Sequence, residues 1–271
     1  MNTLYQLIEA LRTLPEYFGK GVLTLLVTTV GGIIVAWFTT KYFSRRSEIN
    51  AVEATLLKRK LDIYEELTAK LELFKDMVII PSDVQQEALK GLGNLTFNYN
   101  VQQANQLFKI FCSPEDFTNE FLAIDKYIAT KRLYFDEQVQ IQTLCLMNYL
   151  GCIRRLMVMY EEYFIDQEIS LDQKDVFASE RILITQLGII LQQELSDQID
   201  KVVSTIKVSI QNLSFAHREE LGHTYDYYNS PDGPVMSQLM GTTLFTQREA
   251  IKLVVTKAVA MGLAGLQLRK K

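Results

Sequence analysis

The chain is poor in the residues that many enzymes and most irregular folds rely on. Over 271 residues it carries two histidines, three cysteines, one tryptophan and five prolines. Few prolines and only thirteen glycines favour regular elements over long irregular segments. Cys112, Cys145 and Cys152 are too few for a disulfide framework and suit free thiols in a reducing compartment. Cys145 and Cys152 share one helical face, where they read as small core residues rather than a redox pair. His217 and His223 would point to different faces of a helix, unlike the i, i+4 pair of a zinc helix, and read as a surface cluster.

The Gly-x-Ser-x-Gly elbow, the Walker lysine motif and the CxxC pair are all missing. Gly91-x-Gly93 lacks a third glycine and reads as a turn rather than a phosphate loop. The acid pairs Glu65-Glu66, Glu161-Glu162 and Glu219-Glu220 are adjacent in sequence, so their side chains diverge on a helix. Arg154 and Arg155 read as ion-pair partners before an anion site. No catalytic residue, cofactor or metal site is expected, and the chain is not read as an enzyme. With a net charge of −4 and a pI near 5.4, it also lacks the concentrated basic face that nucleic acid requires.

What the chain does have is a long uncharged stretch. No charge occurs between Lys20 and Lys41, and Gly21 to Phe38 reads GVLTLLVTTVGGIIVAWF. At about 1.5 Å per residue, a helix of about twenty residues crosses a bilayer core of about 30 Å. Trp37, Phe38, Tyr42 and Phe43 cluster at its end as an aromatic belt does. The run is too long for a cleaved signal peptide and is followed by the basic flank Lys41, Arg45 and Arg46. The positive-inside rule then places the C-terminal body in the cytoplasm of a single-pass inner-membrane protein. The competing reading is a helix buried in a water-soluble core.

Thr24, Thr28, Gly32, Ala36 and Thr40 recur every fourth residue and form one stripe of small side chains. Such a stripe lets two membrane helices approach closely, or it reflects only the frequency of small residues in membrane helices. Before it, residues 1–18 hold an amphipathic helix from Thr3 to Leu14, suited to the membrane interface or to a neighbouring subunit.

The remainder reads as all-α. The 19–43 anchor is expected to continue without a break into a long juxtamembrane helix with a seam of Leu57, Leu61, Tyr64, Leu67, Leu71, Phe74 and Val78, ending at Ile80-Pro81. Ser82-Asp83 caps a short helix to Lys90, and Leu95 to Phe111 is read as a helix although its first half alternates like a strand. Ser113-Pro114-Glu115-Asp116 opens a helix to Lys131. Another, from Asp136 to Ile165, is apolar on several faces and belongs centrally in a bundle. Ser170 caps a region whose seam runs from Leu183 to Leu213 and packs on the first seam or on another subunit.

Residues 222–234 form a loop, and Thr246 to Glu249 form a capping box for a C-terminal helix over 247–268. That helix is expected to be buried in the bundle, the alternative being a place in the interface. Tyr225, Asp226, Tyr227 and Tyr228 make the polar-aromatic stretch best suited to a ligand or partner.

The run Lys58-Arg59-Lys60-Leu61-Asp62-Ile63-Tyr64-Glu65-Glu66-Leu67, taken with the anchor and with Leu95 to Phe111, resembles prokaryotic single-pass membrane proteins with an all-helical cytoplasmic domain, of the phage-defence accessory or effector type. That resemblance implies a membrane-targeting effector or scaffold. The expected partners are membrane lipid, further copies of the chain joined through the anchor and the seams, and a protein partner of unknown kind. Residues 44–271 are expected to form a cytoplasmic helical bundle, and the chain as a whole is expected to be a membrane-anchored, oligomeric effector or assembly subunit, with a passive tether or a ligand-sensing module as alternatives.

Overall fold

The computed structural model describes residues 20–93, 105–171, 173–212, 230 and 233–269, and within 20–50 it describes side chains only at Gly32, Ala36, Trp37 and 39–41. The described residues are predominantly helical. They fall into two compact units, Met1–Leu57 and Lys58–Lys271.

Helix α1, Lys20–Leu73, contains the uncharged run. Among the described residues no helix is long and apolar enough to cross a membrane, and most side chains of 21–38 stand outside those residues. In the first unit the Lys41 ammonium lies 4.8 Å from the Trp37 ring centre, and the Thr39 hydroxyl donates to the Ala36 carbonyl at 3.1 Å.

In the second unit α1 buries Tyr64, Leu67 and Leu71 of the predicted seam, and also Ile63, which is not part of it, while Leu57 and Leu61 are only partly buried. The helix stops at Leu73, eight residues before Pro81. Phe74, Lys75 and Asp76 each donate a backbone bond three residues back, which tightens and closes the last turn. Met77–Ile79 is then a strand, β1, and not the end of a helical seam. It pairs antiparallel with β2, Gln106–Phe108, with Val78 opposite Leu107. Lys109–Phe111 is a 3-10 turn. The reading of 95–111 as a helix therefore fails at its end, while 94–104 lie outside the described residues. The strand has a partner because the β-branched run before Pro81 supplies one.

Between the strands lies α2, Ser82–Leu92, preceded by Pro81 at the cap position with no side-chain cap, so Ser82-Asp83 does not cap it. Then come α3, Pro114–Lys131, a 3-10 turn over Arg132–Tyr134, and α4, Glu137–Asp166. Helix α5, Lys174–Gln211, starts after Gln173, with Ser170 three residues outside the cap position. Every residue of α5 from Ile182 to Gln192 is buried. It packs against α4, α2, β2 and the last helix, α8. The centre of the bundle is thus α5, with α4 beside it.

Pro234–Met240 and Thr243–Thr246 form the short helices α6 and α7, so the sequence-predicted loop ends before Pro234. Helix α8, Arg248–Arg269, buries Ile251, Val254, Val255, Ala258 and Gly262. Its Ala258/Gly262 face is the packed one, whereas Ala260 and Ala264 are exposed. A Cβ at Gly262 would stand 2.7 Å from the Ser179 hydroxyl oxygen and 2.8 Å from Phe164 Cζ, so only a bare backbone fits this contact. The Lys257 ammonium donates to the Gly91 carbonyl at 3.0 Å, holding the end of α2. No capping box forms, because Thr246 ends α7 and its hydroxyl donates back to the Thr242 carbonyl at 3.0 Å.

Candidate functional site

Of the small-residue stripe, Gly32, Ala36 and Thr40 are exposed, and a Cβ at Gly32 would meet nothing within 4 Å. The side chains of Thr24 and Thr28 lie outside the described residues, as do Tyr225, Asp226, Tyr227, Tyr228, His217, His223 and the 3–14 segment. The three thiols are free. Burial pushes all three up, Cys145 to about 11, so they stay protonated near neutral pH and act as core residues.

Two polar assemblies emerge that the sequence did not single out. The first is built on Asp136, the cap residue of α4. Its carboxylate does not cap the helix but is taken up by Lys60, Tyr64 and Ser209. The buried Tyr64 hydroxyl accepts from the Asp136 backbone N–H at 3.0 Å and donates to Oδ2 at 3.2 Å. Burial, foremost, pushes this phenol up to about 12, so it remains a donor throughout the physiological range. One carboxylate thus joins the end of α1, the α3–α4 turn and the C-terminal half of α5. Nearby, Tyr127 donates to Glu66 at 3.1 Å, and the Arg59 guanidinium lies 5.5 Å from the Tyr134 ring centre. The i, i+4 pair Lys60 and Tyr64 falls within the basic run that the sequence highlighted, but its acceptor was not visible there.

The second assembly is a cleft of about 320 Å³ lined by Ser113, Pro114, Glu115, Thr118, Asn119, Glu161, Leu171, Phe177 and Glu180. Its first wall is the start of α3. The Ser113 side chain accepts from the Asp116 N–H at 3.0 Å and Pro114 occupies the first turn, as the sequence signals predict. Its second wall is the end of α4, where Arg154 pairs with Glu161 at 3.4 Å. The chain then turns back through Glu168, whose φ of 54° is left-handed. Ile169 N–H donates to the Phe164 carbonyl and Glu168 N–H to the Ile165 carbonyl, both at 2.9 Å, which is the Schellman arrangement with Glu where Gly is usual. The reversal delivers Leu171 and the first turns of α5.

Glu180 is 8% exposed and faces this cleft. Among the described residues it has no hydrogen-bond or ion-pair partner. Burial first, then the Glu161 charge, pushes its carboxyl from an ordinary 4.5 up to about 7, while the Arg154 guanidinium pulls the other way. Such a group can exchange a proton near neutral pH or serve as counter-ion to a cation. No group of three or more His, Cys, Asp or Glu able to hold a metal ion occurs among the described residues. Nothing in the sequence separates Glu180 from a solvated glutamate, because its burial depends on α3 and α4.

The chain matches no protein-family model, no curated protein and no solved structure.

Proposed function

We propose that this chain is a membrane-anchored, oligomeric helical protein of the inner membrane that works without catalysis. It acts as an effector or assembly subunit, including by perturbing the membrane in prokaryotic defence. The observation that carries this reading is the continuity of α1. Helical backbone runs from Lys20 to Leu73, and no Pro or Gly interrupts it after Gly32. The uncharged run and the buried Tyr64 therefore belong to one helix. The open space at Gly32, with Ala36 and Thr40 exposed beside it, supports helix-to-helix packing between copies.

The test is the mass of the full chain solubilised in nonionic detergent, compared with the double substitution Gly32→Leu, Ala36→Leu. The native chain is expected to be oligomeric and the variant to shift toward the monomer. A monomeric native particle contradicts the reading.

A second reading, a passive tether that recruits a soluble partner, draws on a different observation. Leu73, Met77 and Ile79 are exposed apolar residues at and after the end of α1, and β1 pairs only with β2 among the described residues. Its remaining edge offers backbone groups to another chain. A tether tolerates the Gly32→Leu, Ala36→Leu change, whereas Ile79→Lys should release its partner.

A further inference from the structure

We infer that the cleft between the first turn of α3, Glu161 of α4 and the start of α5 binds a small organic ammonium ion of the aliphatic amine or polyamine class. The inference does not depend on the membrane reading. It starts from Glu180, a carboxyl 8% exposed, unpartnered among the described residues and turned into the cavity. A buried carboxylate without a partner is costly, and a bound cation removes that cost.

The surroundings select the kind of cation. Glu115 and Glu161 line the same space, and Arg154 engages one oxygen of Glu161 at 3.4 Å. Three carboxylates against one guanidinium disfavour any anionic ligand. An ammonium head has three donors, enough for Glu180, Glu161 and the Thr118 hydroxyl, which itself donates to the Pro114 carbonyl at 2.9 Å and keeps lone pairs free. Phe177 lines the cleft yet is 56% exposed, so its ring can cover a cation or an alkyl stem. A hard divalent ion needs six or more oxygen ligands, and no metal-holding carboxylate group occurs among the described residues. A cavity of about 320 Å³ suits a small molecule.

Binding is coupled to protons. Glu161 and Arg154 of α4 act on Glu180, Glu115 of α3 faces the same space, and α8 meets this end of α5 through Gly262 and Gly265. The ammonium pairs with ionised Glu180, so the carboxyl gives up its proton as the ligand enters. Affinity therefore rises with pH.

The experiment is calorimetric titration of the full chain in nonionic detergent with putrescine and spermidine, with Mg²⁺ as the cation control. The native chain is expected to bind an amine saturably, about tenfold more tightly at about pH 8 than at about pH 6. Glu180→Gln should weaken binding about tenfold or more, and the exposed-site variant Phe177→Ala by several-fold. Mg²⁺ at equal charge should not displace the amine. Absence of saturable amine binding to the native chain overturns the inference. So does equal affinity in a folded Glu180→Gln variant, or equal displacement by Mg²⁺. Should Glu180→Gln fail to fold, an unchanged affinity in Phe177→Ala decides against it.

Discussion

The carboxylate of Glu194 on α5 accepts the Tyr149 hydroxyl of α4 at 2.9 Å. The same carboxylate receives the Thr243 backbone N–H at 2.9 and 3.1 Å. It therefore caps α7, which has no cap from its own sequence, and holds three elements to one charged group. Glu194→Ala leaves a buried phenol and an orphaned helix N–H, and is expected to cost about 1–3 kcal/mol. Denaturant unfolding measures the loss, and hydrogen exchange at Thr243 should accelerate ahead of the rest of the fold.

Two glycines on neighbouring helices should respond with opposite signs. A Cβ at Gly188 would stand 2.7 Å from Phe111 Cβ and 2.9 Å from its Cγ, whereas one at Gly151 would meet nothing within 4 Å. Gly188→Ala is expected to destabilise by about 1–3 kcal/mol through overpacking. Gly151→Ala should stabilise by about 0.5–1 kcal/mol, since alanine is the better helix former. Thermal unfolding of the two variants side by side checks both signs.

Glu168 holds the left-handed position that closes α4. Glu168→Gly removes the steric cost of that conformation and is expected to stabilise the chain by up to about 1 kcal/mol. Glu168→Val should destabilise it, because a β-branched residue resists positive φ. The same unfolding midpoints report both.

The raised Glu180 carboxyl ties stability to pH. Moved from 4.5 to about 7, it keeps a proton in the folded chain that the unfolded chain has lost. Its contribution is full below about pH 4.5 and disappears as pH rises through about 7. The shift sets an upper bound of about 3 kcal/mol. Glu180→Gln should flatten this dependence, so the variant gains on the native chain as pH goes from about 5 to about 8. A constant difference across that range would contradict it.

The legible parts of the fold were those whose signals are local. Helix α3 was placed because Ser113, Pro114 and the following acids mark its start within four residues. The span of α4 and the apolar seam of α5 follow from periodicity, and the free, core-placed Cys145 from its helical face, whereas the start of α5 at Lys174 does not follow from Ser170. Pairing of β1 with β2 was missed because Val78 completes the rhythm begun at Leu57, and its partner Leu107 lies across an intervening helix. Thr246 to Glu249 fits the local pattern of a capping box, but Thr246 ends α7 and its hydroxyl turns back to the Thr242 carbonyl. The Glu180 cleft and the Asp136 junction each draw side chains from three elements, so their chemistry comes into being only with the tertiary fold.

The central claim is that α1 carries the chain into lipid. The most direct test is alkaline carbonate extraction of membranes from bacterial cells producing the full chain. Retention in the membrane pellet, with release only by detergent, is the expected result. Quantitative release into the wash would contradict it, and would place the 21–38 run within a protein core instead.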